Sequence, residues 1–178
     1  MPVPDFSPGE VLTAAAMDSI GLWLVKSQAV GTGVSSVTVT DAFSASYDAY
    51  KITYTGGVAS GSVNLMTRLG ATTTGYRMAM NGVTSGSAAV AAYDNNTNLS
   101  WIWTGGANTT WVNYNVEIWQ PFLARPTFVT SVLASNGADN YWQVRGSLAD
   151  SSSYTSFTLL PSSGTITGGT ICVYGFRK

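Results

Sequence analysis

From residue 34 onward, apolar residues recur at every second position in short runs, and clusters of turn formers separate the runs. Val37 and Val39 alternate with Ser36, Thr38 and Thr40; Tyr50, Ile52 and Tyr54 alternate with Lys51 and Thr53. Val63, Leu65 and Thr67 oppose Asn64, Met66 and Arg68. Val112, Tyr114, Val116 and Ile118 oppose Trp111, Asn113, Asn115, Glu117 and Trp119. A period of two places neighbours on opposite faces of an extended chain and cannot line one side of a helix. Further β-like runs cover 76–80, 88–93, 99–103, 127–134, 141–148, 154–160 and 165–176. Turns are expected at Thr55-Gly56-Gly57, Asp94-Asn95-Asn96, Thr104-Gly105-Gly106, Ser135-Asn136-Gly137, Ser162-Ser163-Gly164 and Gly168-Gly169. Many short strands with frequent turn signals predict an all-β chain, an antiparallel β-sandwich of jelly-roll-like form.

The first residues read differently. Ser7 can cap a helix, Pro8 suits its first position, and Glu10 can complete a capping box, with Phe6 and Val11 as a hydrophobic staple. Thr13 is a competing cap. Either start predicts a short helix over 14–24, with Leu12, Ala16, Ile20 and Trp23 on one stripe. One short helix cannot bury that stripe alone. The expected organisation is therefore an N-terminal anchor segment with helix and linker over 1–33, and a β-sandwich domain over 34–178. Phe6, Val11, Leu12, Met17, Ile20 and Trp23 are the candidate surface for contact with further copies or with a partner protein.

Charge is scarce. Asp, Glu, Lys and Arg make up 10% of the chain, against about 25% in ordinary soluble domains. Interfaces are poor in Lys and Glu and rich in aromatics, and the 111–119 run carries large side chains on both faces. Both features predict a homo-oligomer. The scattered Lys and Arg form no basic footprint, so nucleic acid is not an expected partner. No apolar stretch approaches the ~20 residues of a membrane span, and no secretory leader is read at the start. The absence of His removes imidazole bases, Ser-His-Asp triads and the usual zinc sites. Cys172, alone in an apolar strand, reads as a buried inert thiol. Asp94-Asn95-Asn96-Thr97-Asn98 has one carboxylate and lacks calcium-loop spacing, so it reads as a solvated turn. A glycosidase would need two carboxylates brought together, such as Asp139 with Asp150 or Asp94 with Glu117. The expectation is no enzyme, no catalytic residue, no cofactor and no metal.

Three separated stretches carry a resemblance. Phe6-Ser7-Pro8-Gly9-Glu10-Val11-Leu12-Thr13-Ala14-Ala15-Ala16-Met17 resembles the N-terminal segment of bacteriophage tail-fibre and minor virion structural proteins. Phe43-Ser44-Ala45-Ser46-Tyr47-Asp48-Ala49-Tyr50-Lys51-Ile52 is similar to the opening of their β domain. The stretch from Ser163 to Arg177, with Gly168-Gly169-Thr170-Ile171-Cys172-Val173-Tyr174-Gly175-Phe176, resembles their C-terminal strand. The resemblance implies a virion component made in a bacterial host cytoplasm, a homotrimer of jelly-roll-like sandwiches attached through its N-terminus to other virion proteins of tail or capsid. Such proteins commonly carry long shafts, which this chain does not show.

Trp101, Trp103, Trp111, Trp119 and Trp142 are the candidate aromatics for a host surface glycan or for a subunit interface. The expected function is a short tail fibre or adhesin. A capsid decoration (cement) or head-fibre protein is the alternative within the same class, and a free carbohydrate-binding module is the alternative outside it.

Overall fold

The computed structural model describes residues 21–87, 89–135 and 140–176, with the backbone alone at 95–97 and 135. The described chain is all-β. Its strands are β1 (Leu22–Ala29), β2 (Val37–Val39), β3 (Ala49–Thr55), β4 (Val58–Ala59), β5 (Val63–Leu69), β6 (Tyr76–Thr84) and β7 (Val90–Asn98). They continue as β8 (Trp101–Ala107), β9 (Val112–Trp119), β10 (Thr127–Ser135), β11 (Asn140–Leu148), β12 (Phe157–Pro161), β13 (Ile166–Thr167) and β14 (Thr170–Phe176).

All pairings are antiparallel, and the large sheet folds into a sandwich-like body. The longer layer runs β1-β14-β3-β9-β10-β11-β6-β7, and the shorter runs β2-β12-β5-β8. Strand β9 joins them. Its first residues pair with β8, from Val112↔Ala107 to Tyr114↔Gly105, and its later ones pair with β10, from Val116↔Ser131 to Trp119↔Phe128. Strand β8 therefore crosses over the inner side of β10 and β11. Trp101 Nε1 donates to the Ser147 carbonyl at 3.2 Å, and Ser131 Oγ donates to the Thr104 carbonyl at 2.8 Å.

The alternation decides which residues lie between the layers. Tyr50, Ile52 and Tyr54 are buried on β3, Val63, Leu65 and Leu69 on β5, and Tyr114, Val116 and Ile118 on β9. Each such side chain stabilises the fold by about 1.5–3 kcal/mol relative to exposure. Where β5, β8 and β9 converge the core is polar. Thr67 and Thr104 are fully buried, and the Thr67 hydroxyl lies 2.7 Å from the Tyr114 hydroxyl and 2.8 Å from that of Thr104.

Several expectations are corrected. Residues 22–24, read as the end of a helix, begin strand β1, which runs into the expected linker as far as Ala29 and pairs with β14 from Leu22↔Phe176 to Ala29↔Thr170. The free edge of β14 offers a row of backbone donors and acceptors, and pairing outweighs a short amphipathic pattern. The rest of the expected helix falls on residues 1–20, outside the described residues. Asp94-Asn95-Asn96 is no turn but part of β7, held by the backbone of β6 through Ala79↔Asp94 and Met78↔Asn95. Thr104-Gly105-Gly106 is likewise strand. A side chain at Gly105 would stand 2.7 Å from the Asn113 carbonyl and 2.8 Å from the Tyr114 ring, so glycine here permits close strand approach. Cys172 is half-buried and faces away from the core, between buried Ile171 and Val173.

Candidate functional site

The strand directions give the body two ends. Leu22 and Phe176 are register partners, so the chain enters at β1 and leaves β14 at the same, near end, beside Ala49 and Trp119. The far end carries the close of β1, β3, β6 and β10 and the start of β7, β9, β11 and β14.

The outer face of the longer layer is ordered in cross-strand rows. One row runs Leu24, Tyr174, Lys51, Glu117, Thr130, Arg145, Ala79, Asp94. Its charges alternate, Lys51 directly opposite Glu117 on neighbouring strands and Arg145 separated from Asp94 by Ala79. Opposite charges directly across neighbouring strands, as Lys51 and Glu117 are, stabilise a sheet by about 0.2–1 kcal/mol. Toward the far end the face becomes apolar. Val132 is 64% exposed, Tyr141 54%, Val90 68% and Val83 37%, too much apolar surface to be incidental at one corner of a charge-poor sheet. A shallow groove runs between these four side chains and passes into a polar stretch floored by Ala79 and Ala92 and edged by Asn81, Gln143, Arg145 and Asp94.

The structure distributes the five candidate tryptophans. Trp101 is fully buried, its ring 5.2 Å from Tyr76 in an edge-to-face contact, and belongs to the core. Trp142 is inward and nearly buried, its ring lying over Gly82, where a side chain would meet it at 2.7 Å. Trp103 is half-buried at the edge of the shorter layer. Tyr93 lies between the last two, 5.6 Å from the Trp142 ring and 6.3 Å from Trp103, and is itself 54% exposed. Trp111 is half-buried in the β8–β9 turn and lines a shallow hollow with Val112, Asn113 and Ala134. Trp119 is half-buried on the outer face at the near end, opposite Ala49 and the exposed Phe128. Trp103 and Trp142 thus meet through Tyr93, while Trp101, Trp111 and Trp119 stand apart from them.

Of the anchor residues, Trp23 pairs with Gly175 in β1 and is half-buried, and its buried indole N–H has no hydrogen-bond acceptor among the described residues. Phe6, Val11, Leu12, Met17 and Ile20 lie outside the described residues. Asp94 and Glu117 share the outer face but sit four strand spacings apart, about 19 Å, beyond the ~5–9.5 Å that separates paired glycosidase carboxylates. Asp139 is outside the described residues. Asp150 stays below the usual carboxylate range because Ser152 and then Tyr154 hydrogen-bond to it. Among the described residues, no three His, Cys, Asp or Glu side chains gather as a metal site would require.

Sequence reasoning missed Tyr93, Val83, Val90, Val132 and Tyr141. Each belongs to an alternating strand, but alternation does not say which face meets solvent. Comparison with family models, with curated proteins and with solved structures finds no match to this chain.

Proposed function

We propose that this protein is a non-enzymatic structural component of a bacteriophage virion, a homotrimer of the short tail-fibre or adhesin type. Residues before β1 hold it to other virion proteins, and the body, jelly-roll-like in its finer topology, projects outward. The observation that carries this reading is the polarity of the body. The chain enters β1 at the near end, while the far end carries the β8–β9 turn with the half-buried Trp111 and the shallow hollow that it lines. An attachment protein needs that separation: one end engages the particle and the other meets the host surface. A glycan contact would draw on the exposed Tyr93 and the half-buried Trp103, whose rings supply apolar faces.

Two of the stretches that resemble phage fibre proteins also come together. Strand β3 pairs with β14 along Ala49–Thr55, and the Tyr47 ring packs against Gly175 so closely that any side chain there would collide with it. The motif residues thus support each other physically, which favours reading them as one unit.

The test is mass in solution with and without the first residues. The purified chain should scatter light as a multiple of three copies of 18.7 kDa. Deleting 1–20 should leave a folded body that has lost its three-fold contact. The deletion stops there because Leu22, Trp23 and Leu24 are part of β1. A full chain that stays monomeric refutes the proposal and favours a free carbohydrate-binding module; a deletion that keeps the three-fold contact places that contact in the body and leaves the first residues to attachment alone. Antibody against the chain should label the tail of the particle; label spread over the capsid would assign the decoration role instead.

A further inference from the structure

The outer face of β10, β11, β6 and β7 is complementary to itself. We propose that it docks a second copy of this chain through a two-fold axis parallel to the strands, running between β11 and β6. The proposal shares with the reading above only the premise that the protein assembles; its contact is separate from any three-fold contact made through the N-terminal segment.

Three rows carry the argument. In register, they are Ala134-Tyr141-Val83-Val90, then Val132-Gln143-Asn81-Ala92, then Thr130-Arg145-Ala79-Asp94. The proposed axis lays each row on its own copy in reverse order. Tyr141 then meets Val83 of the second copy, and Ala134 meets Val90. In the next row Val132 meets Ala92, and the Gln143 amide meets that of Asn81. Val90 and Val132 each fall on an alanine, which suits packed sheets about 10 Å apart.

The charges fit the same operation. Arg145 comes to lie over Ala79 of the second copy, whose small side chain leaves room for a guanidinium, one strand spacing from Asp94. Thr130 comes over Asp94 itself. In the next row Ser147 falls on Arg77, so no like charges are opposed. Within the chain, neither Arg145 nor Asp94 forms an ion pair among the described residues. A glycan on this face would use the amides and Arg145 but would leave Val83, Val90 and Val132 without a role.

Four strand spacings by seven residues give a flat area of about 19 by 24 Å, roughly 450 Å² per copy. A standard specific interface covers about 800 Å² of accessible surface per partner. The contact therefore stands at the lower end, and its occupancy should rise with protein concentration.

The experiment is sedimentation of the full chain across concentrations, for the unmodified protein, Val132→Asp, Arg145→Glu, and Arg145→Glu combined with Asp94→Arg. The unmodified protein should reach an even number of copies, six where the three-fold contact also holds and two where it does not. Val132→Asp, at a well-exposed position that tolerates a polar side chain, should halve that mass with unchanged circular dichroism. Arg145→Glu should raise the concentration needed for pairing by about tenfold or more, and the added Asp94→Arg should recover most of the loss. Val132→Asp with unchanged mass overturns the proposal, as does a charge swap no better than Arg145→Glu alone. Three copies, unaffected by Val132→Asp, overturn this contact and leave the trimer standing. Two copies reduced to one by Val132→Asp support this contact and overturn the trimer.

Discussion

Replacing Thr67 by Val should destabilise the protein more than replacing Tyr114 by Phe, although both changes break the same hydrogen bond. The reason is a count of protons. Thr104 Oγ1 donates to the Leu65 carbonyl at 3.0 Å, which uses its only proton. At 2.8 Å from Thr67 it must therefore accept, so Thr67 donates to it. Thr67 in turn accepts from the Tyr114 hydroxyl at 2.7 Å. The chain of donation runs Tyr114 to Thr67 to Thr104 to Leu65. Tyr114→Phe removes its first link and leaves every remaining donor satisfied, a loss of about 1–1.5 kcal/mol. Thr67→Val removes two links and strands the buried Tyr114 hydroxyl without an acceptor, a loss of about 3 kcal/mol. The double variant has no stranded hydroxyl. It should be no less stable than Thr67→Val alone, giving a coupling of about 1–2 kcal/mol. Urea unfolding at pH 7, with unchanged dependence on denaturant, measures all three. Equal costs for the two single changes, or simple additivity in the double, would show that the proton order is wrong.

Two further outcomes follow from the same core. Burial pushes the phenols of Tyr76 and Tyr114 well above their usual value of 10.0, with neighbouring hydrogen bonds only partly opposing it. The unfolded chain then ionises first. Stability should hold below pH 10 and fall as pH rises beyond it, by up to about 1.4 kcal/mol per unit for each phenol, with Tyr114→Phe removing its share; a flat profile to pH 11.5 would contradict this. Gly82→Ala would set a methyl against the Tyr141 carbonyl and 2.7 Å from the Trp142 ring, and should cost about 2–3 kcal/mol and alter indole fluorescence. An unchanged unfolding midpoint and spectrum would mean the Trp142 ring does not lie there.

Much of the architecture was legible because period two is a local property of the chain. The alternation of Tyr50, Ile52 and Tyr54, or of Tyr114, Val116 and Ile118, marks both the strand and its buried face. The misreadings share one cause. Asp94 to Asn98 is polar and short of β-branched residues, yet it is strand because β6 offers an open edge to pair with. Gly105 looks like a turn, yet it lies in β8 because Tyr114 needs the space. Residues 22–24 fit a helical stripe, yet β14 recruits them as β1. In each case the partner lies far along the chain, and local propensity yields to pairing.

The candidate site divides in the same way. Composition alone marks a charge-poor chain rich in tryptophan and without His, and so predicts contact surfaces in place of imidazole chemistry. It does not say that Trp101 is core, that Trp103 and Trp142 converge on Tyr93, or that Arg145 and Asp94 flank one alanine on an open face. Those facts depend on register and on which layer covers which strand. The sequence determined that the chain folds as paired strands with one apolar face each, because side-chain alternation follows from the extended backbone itself. The tertiary structure alone decided which faces stay open, because exposure is set by strands that meet only after the chain has closed on itself.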